Sequence, residues 1–258
     1  MSHDRPSVSS TVLSKVPAIT IAFWIMKICA TTLGETAGDL LSMTLGVGYA
    51  VSSALLLGFF LASVTVQLSR KSFHPAIYWT VIVATSTAGT TMSDFMDRTL
   101  GLGYATGSLI LITLVGATLL AWKLTEHSLS VTSISSRRGE VFYWAAILFS
   151  NTLGTALGDF LADDSGLGFA GGALLIGGLL VLLVGLYYYA KVSPILLFWL
   201  AFVLTRPFGA TFGDYLTKPE GLNLGTLWAS GILALVFTMV VVANRWRDGR
   251  AIQTSEES

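Results

Sequence analysis

The 258-residue chain has a single cysteine, Cys29, and three histidines, His3, His74 and His127. One cysteine excludes a disulfide framework and thiolate metal clusters. The histidines fall in the N-terminal segment or between apolar runs, so no pair of spans can ligate a haem. No H-E-x-x-H, G-x-S-x-G or Walker A pattern occurs, which argues against an enzyme and against ATP-driven transport by this chain alone. Charge is scarce too. Asp, Glu, Lys and Arg make up 12% of residues, against about 25% in soluble domains. Fifteen basic and fifteen acidic residues give no basic excess, so nucleic acid is not an expected partner. What the chain does have is apolar: 53% hydrophobic residues and a mean hydropathy of +0.71. That excludes disorder and leaves a polytopic membrane protein, with the lipid bilayer as its first partner.

A membrane-crossing helix needs about 20 mostly apolar residues. Eight segments meet that measure: 17–42, 47–68, 75–97, 101–123, 140–163, 166–190, 194–217 and 222–244. None shows the short alternating pattern of a β-barrel strand. No cleavage site follows a short apolar core near the start, so the first span is expected to be retained. The expected organisation is an N-terminal tail over 1–15, one membrane domain over 16–244 and a C-terminal tail over 245–258. Basic residues assign the sides. Arg5, Lys15, Arg70, Lys71, Lys123, Arg137, Arg138, Lys191, Arg245, Arg247 and Arg250 flank one set of connections, whereas the opposite set holds Arg98 and Lys218. The positive-inside rule then places both termini in the cytoplasm.

The chain repeats internally. Trp24, Trp79, Trp144 and Trp199 are each followed ten residues later by Gly34, Gly89, Gly154 or Gly209. Five residues further stand Asp39, Asp94, Asp159 and Asp214, and seven beyond them Gly46, Gly101, Gly166 and Gly221. The four copies, about 17–70, 75–124, 140–190 and 194–244, each hold two spans. An even number of spans makes the copies parallel, related by an axis along the membrane normal. The fold class expected is therefore an all-α polytopic membrane protein of eight transmembrane helices. They form four tandem two-helix repeats in a pseudo-fourfold or two-times-two arrangement. This pattern resembles a family of bacterial membrane proteins named only for a repeat of unknown function. The resemblance implies the bacterial inner membrane and the tandem architecture, and it implies no activity.

Residues four apart share a helix face. Stepping back in fours from each aspartate gives Lys27, Thr31, Glu35 and Asp39; then Ile82, Ser86, Thr90 and Asp94; then Ile147, Asn151, Thr155 and Asp159; and last Phe202, Arg206, Ala210 and Asp214. Each odd-numbered span thus carries a polar column ending in a carboxylate. The fifteen residues from Trp to Asp rise about 22 Å, which puts the acids toward one face of the bilayer. Rings of acids favour cations, and oxygen-only ligands suit Mn²⁺, Mg²⁺ or alkali ions. The expected ion path comprises Asp39, Asp94, Asp159, Asp214, Glu35, Thr31, Thr90, Asn151 and Thr155, with the four aspartates as candidate metal ligands. Asp97, Asp163, Asp164 and Glu220 add acids on the same side. The other reading of the aspartates is that they cap helix ends and satisfy loop amides.

Lys27 and Arg206 lie within spans and are expected to pair with carboxylates. Five acids against two bases leave an excess that calls for cations, protons or water. Glu35 and Asp39, one turn apart and alike in charge, are a candidate proton-exchanging pair; Glu35 could instead neutralise Lys27 or Arg206. Pro207 should kink its helix. The G-x-x-x-G pairs Gly34/Gly38, Gly154/Gly158 and Gly209/Gly213 read as close-packing seams, and the tryptophans as anchors or packing.

The reading these features support is a cation permease, open to proton coupling. A non-transport structural or partner-binding bundle is the alternative. A third reading is a permease for a small anionic solute gripped by Lys27 and Arg206. No organic cofactor is expected; a bound metal cation and a homo-oligomer are left open.

Overall fold

A computed structural model describes residues 16–256 apart from 71, 132, 133 and 135, with side chains described up to residue 244. The expected tail over 1–15 and the flanking Arg5, Lys15, Lys71, Arg245, Arg247 and Arg250 side chains lie outside those limits. Eight long α-helices occur among the described residues: α1 (Ile21–Asp39), α2 (Tyr49–Ser69), α3 (Pro75–Asp94), α4 (Tyr104–Glu126), α5 (Arg137–Asp159), α6 (Gly168–Tyr189), α7 (Pro194–Thr217) and α8 (Thr226–Glu256). The eight spans expected from sequence correspond one to one with these helices. α8 runs on through most of the segment read as a C-terminal tail.

Local chemistry sets the helix ends. Thr20 and Ser136 cap α1 and α5 by accepting from Phe23 N and Gly139 N, while α3 and α7 begin on Pro75 and Pro194. Just past the repeat aspartate, α1, α3 and α5 widen into π-helical turns at Leu40–Thr44, Phe95–Thr99 and Phe160–Asp164. Glycine pairs such as Gly46 and Gly48 follow at φ 68° and 80°, a backbone that a side chain would strain. The fourth copy has no π turn, and its left-handed residues are Asn223 and Gly225.

The odd helices form a closed inner ring in which α1 touches α3 and α7, and α5 touches α3 and α7. The even helices form an outer layer with an offset. α2 packs chiefly on α3, α4 on α5, α6 on α7, and α8 returns to α1. Every copy therefore covers the inner helix of the next, and the last copy closes on the first.

Burial follows this division. The outer helices expose apolar side chains such as Leu109 and Leu174, 66% and 77% exposed, as a lipid-facing surface requires. Among the described residues, six helices are long and apolar enough to cross a membrane by length and composition. α1 and α3 fall short of that measure of length and composition. Their place in the inner ring permits the polar content that lowers their hydropathy: Lys27, Thr31, Glu35 and Asp39 on α1, and Thr85, Ser86, Thr90 and Asp94 on α3, are buried against protein rather than lipid.

Candidate functional site

The polar columns read from the sequence converge on the axis of the inner ring, and repeat symmetry stacks them in layers. Counting from the repeat tryptophan, the residue before it is Phe23, Tyr78, Tyr143 or Phe198, and all four are buried. The Tyr78 and Tyr143 hydroxyls lie 2.6 Å apart, and Phe23 and Phe198 have ring centroids 6.4 Å apart. Trp79 and Trp144 pack edge-on to these tyrosines, and Trp199 donates from Nε1 to the Leu129 carbonyl at 3.1 Å. The tryptophans thus help build an aromatic floor across the bundle. An aromatic before every tryptophan is a fourfold signal that sequence reading missed.

Above the floor lie Lys27, Ile82, Ile147 and Phe202, none of them exposed. Lys27 does not meet a carboxylate, which corrects the expectation drawn from its charge. Its Nζ donates to Asn151 Oδ1 at 3.3 Å and sits 4.1 Å from the centroid of the Phe202 ring. Asn151 Nδ2 donates to Thr85 Oγ1 at 2.8 Å, which presents the Asn151 carbonyl to the ammonium. One amide oxygen and one aromatic face replace the ion pair.

Arg206 does meet a carboxylate. Its Nη1 lies 2.9 Å from Glu35 Oε2, and its Nη2 donates to Thr90 Oγ1 at 2.6 Å and Thr155 Oγ1 at 2.7 Å. The two hydroxyls in turn donate to Glu35 Oε2 at 3.3 and 3.4 Å. Nη1 and Nη2 also reach the carbonyls of Thr31 and Ser86 at 3.4 and 3.3 Å. Glu35, Thr90 and Thr155 hold equivalent positions in copies one to three. The fourth such position is Ala210, and the guanidinium arriving from one turn below supplies the fourth member of the layer. Each copy contributes one group to this buried cross. Pro207 lies inside α7 without ending it, and its ring packs against Gly154.

The small residues seat this network. A Cβ on Gly34 would strike Ser86, on Gly89 Asn151, on Gly154 Arg206, and on Gly209 Thr31. Those four partners occupy one repeat position, seven after the tryptophan. The glycine of every copy therefore makes room for the polar column of the next, around the whole ring. The close-packing reading of these glycines agrees with that geometry.

The aspartates form the layer nearest the C-terminal ends of the odd helices. Asp39, Asp94, Asp159 and Asp214 are 3%, 2%, 3% and 1% exposed. Two cations that sequence reading assigned only to loops enter the layer from above. Arg98 Nε lies 3.0 Å from Asp94 Oδ1, and its Nη2 lies 3.5 Å from Asp159 Oδ2. Lys218 Nζ lies 2.9 Å from Asp214 Oδ2 and 3.8 Å from Asp39 Oδ2. Both follow their aspartate by four residues, so one more step along the column would have found them. Burial disfavours the Lys218 ammonium, yet Asp214 and Asp39 beside it prevail and raise its pKa above the ordinary lysine value.

The two cations revise the charge count. With Lys27, Arg206, Arg98 and Lys218, four bases face Glu35 and the four aspartates, an excess of one acid rather than three. They also break the fourfold symmetry. Arg98 clips copies two and three, Lys218 clips copies four and one, and the equivalent positions in copies one and three are Met43 and Asp163. The backbone ring is fourfold, and its charge pattern is two-times-two.

One part of the layer has cation-ligating geometry. Glu35, Asp39 and Asp214, all buried, each place a carboxylate oxygen within 4.8 Å of the others, a spacing that an ion about 2.1–2.6 Å from each can bridge. Asp214 Oδ1 is buried and accepts no hydrogen bond. Asp94 and Asp159, by contrast, are held by the Arg98 fork. Asp97 takes a hydrogen bond from Ser93 Oγ at 3.2 Å, and Asp163 takes one from Tyr104 at 3.2 Å, so neither adds to that trio.

No curated protein and no solved structure matches this chain. Residues 22–73, 77–128, 142–193 and 197–250 each match one family, described as a Repeat of Unknown Function (DUF347), and these four tandem copies make the chain a member of that family.

Proposed function

We propose that the protein is a secondary transporter or channel-like permease for a hard cation, Mn²⁺ or Mg²⁺ above all, that occupies the Glu35–Asp39–Asp214 trio. The observation that carries the reading is this buried cluster with an unpartnered Asp214 oxygen. It crowns an axis of polar side chains, supplied by all four copies, that ends on an aromatic floor. Arg206 and Lys218 offset two of the three buried carboxylates, and the negative charge left over calls for a further cation, a proton or water. Thr31, Thr90, Asn151 and Thr155 line the same axis. The Arg206–Glu35 cross and the floor beneath it form the barrier that must rearrange during transport, with protons as natural co-substrates for the carboxylates.

The membrane in this reading is the bacterial inner membrane with both termini cytoplasmic. Arg98 and Lys218, the two exceptions to the basic-residue bias, are engaged by the aspartate layer, so their place on the acidic side has a structural cause.

The test is cation flux in proteoliposomes alongside folded yield. Asp214→Asn is expected to abolish Mn²⁺ flux at normal yield. Wild-type protein that moves no cation at any pH, or misfolding of all four Asp→Asn variants, overturns the reading in favour of a non-transport bundle. The specific support for that second reading is that Arg98 and Lys218 each already bridge two aspartates. The anionic-solute reading gains nothing from the geometry, because both Nη atoms of Arg206 are engaged by the protein.

A further inference from the structure

We infer that Lys218 is a tethered substitute for the bound cation: its ammonium occupies the Glu35–Asp39–Asp214 site at rest and leaves when a divalent ion enters. This deepens the permease reading and rests on it for the identity of the site. Lys218 Nζ lies 2.9 Å from Asp214 Oδ2 and 3.8 Å from Asp39 Oδ2, so two of the three ligand residues already hold a positive charge. The remaining oxygen of Asp214, buried and without a hydrogen-bond partner, marks coordination that one ammonium does not use.

Lys218 is placed to come and go. Its backbone is fixed just beyond α7, with Lys218 N donating to the Asp214 carbonyl at 2.8 Å and Gly221 N to the Lys218 carbonyl at 3.0 Å. Its side chain is 22% exposed, whereas Asp214 and Asp39 are 2% and 4% exposed at theirs, so the ammonium stands at the mouth of the site. The ring of Phe169, 5.3 Å from Nζ, offers a second contact beside the mouth. A lysine is a point charge on a flexible stem, suited to exchange with a free ion. The equivalent residue in copy two is Arg98, whose fork reaches Asp94 and Asp159 together and lies over the Tyr104 ring. That arginine is a fixed clip.

Charge selects the ion. Glu35, Asp39 and Asp214 carry three formal negatives, and Arg206 neutralises one through Glu35. With Lys218 in place one negative is left over; with Lys218 displaced, two are. A divalent cation with hard oxygen preference balances the second state, and a monovalent ion does not.

The test is Mn²⁺ binding to the full chain in lipid nanodiscs, read from the electron paramagnetic resonance signal of free Mn²⁺ and kept separate from flux. Lys218→Gln is expected to tighten Mn²⁺ binding at least about tenfold by removing the competitor. Lys218→Arg, which keeps the charge in a form that exchanges less readily, is expected to bind no tighter than wild type. Asp214→Asn should abolish binding in either background. Folded Lys218→Gln protein that binds Mn²⁺ no tighter than wild type overturns the inference, as does Lys218→Arg binding as tightly as Lys218→Gln. Should Lys218→Gln not fold, Lys218→Met replaces it on the same criterion. Tight Mn²⁺ binding without flux in any variant leaves this exchange standing and removes the permease reading. Flux that is unaltered by Lys218→Gln, with unaltered binding, does the reverse.

Discussion

At the scale of single residues, burial decides which charges need partners, and the chain solves the problem twice in different ways. Arg206 and Glu35 are 0% and 2% exposed and meet at 2.9 Å within a ring of threonine hydroxyls. Removing one member of such a pair strands the other, at a cost of about 3–5 kcal/mol. Glu35→Gln and Arg206→Gln should each lower the thermal unfolding midpoint markedly in detergent. The double variant Glu35→Met/Arg206→Met should recover most of the loss, because apolar residues of similar volume leave no orphan charge. Single variants as stable as wild type would show that the pair does not hold the axis together. Lys27 uses the other solution, an amide oxygen and an aromatic face, and sequence could not foresee it. Asn151 lies 124 residues away, and only the closure of the ring brings it to the ammonium.

At the scale of helices, the recurring glycine is a seat. A Cβ on Gly154 would meet the Arg206 side chain and Pro207 Cδ, and one on Gly209 would meet the backbone and hydroxyl of Thr31. Overpacking of this kind typically costs about 1–3 kcal/mol. Gly154→Ala and Gly209→Ala should therefore destabilise the protein, whereas Gly116→Ala, with open space around it, should be neutral or slightly stabilising. Equal midpoints for all three variants would remove the seating role. The spacing of these glycines was legible in the sequence, because G-x-x-x-G in an apolar helix has few other uses. Their partner was not, since periodicity says which face is small and nothing about the neighbour it admits. The hydropathy of α1 and α3 has the same origin: helices surrounded by other helices can carry polar side chains that lipid-facing helices cannot.

At the scale of the molecule, the offset between layers makes the four copies interdependent. Each outer helix covers the following copy, so the chain is finished only when α8 reaches α1. Ser230 Oγ and Thr36 Oγ1 are 2.9 Å apart across that closure, and Thr226 and Thr44 hydroxyls are 2.7 Å apart near its edge. Cysteines at 36 and 230, with Cys29 replaced by Ala, should form an intramolecular disulfide. After cleavage between α4 and α5, the two halves should then migrate together on a non-reducing gel. Halves that separate after oxidation would contradict the closure.

By itself the sequence determined the membrane class, the helix count, the four parallel copies and the polar face of each inner helix. Those follow from local quantities: composition, the length of apolar runs and the 3.6-residue period. It also placed the four aspartates in one layer, because equal spacing on parallel helices gives equal depth. Only the tertiary structure decided what those side chains meet. The Arg206 cross, the Lys27–Asn151 contact, and the clips of Arg98 and Lys218 all join different copies, and a pattern within one helix carries no information about the angle at which another faces it. The reduction from fourfold backbone to two-times-two charge arose the same way. Arg98 and Lys218 read as loop cations along the chain, and they became part of the acidic layer when the ring closed and brought two buried carboxylates within reach of each.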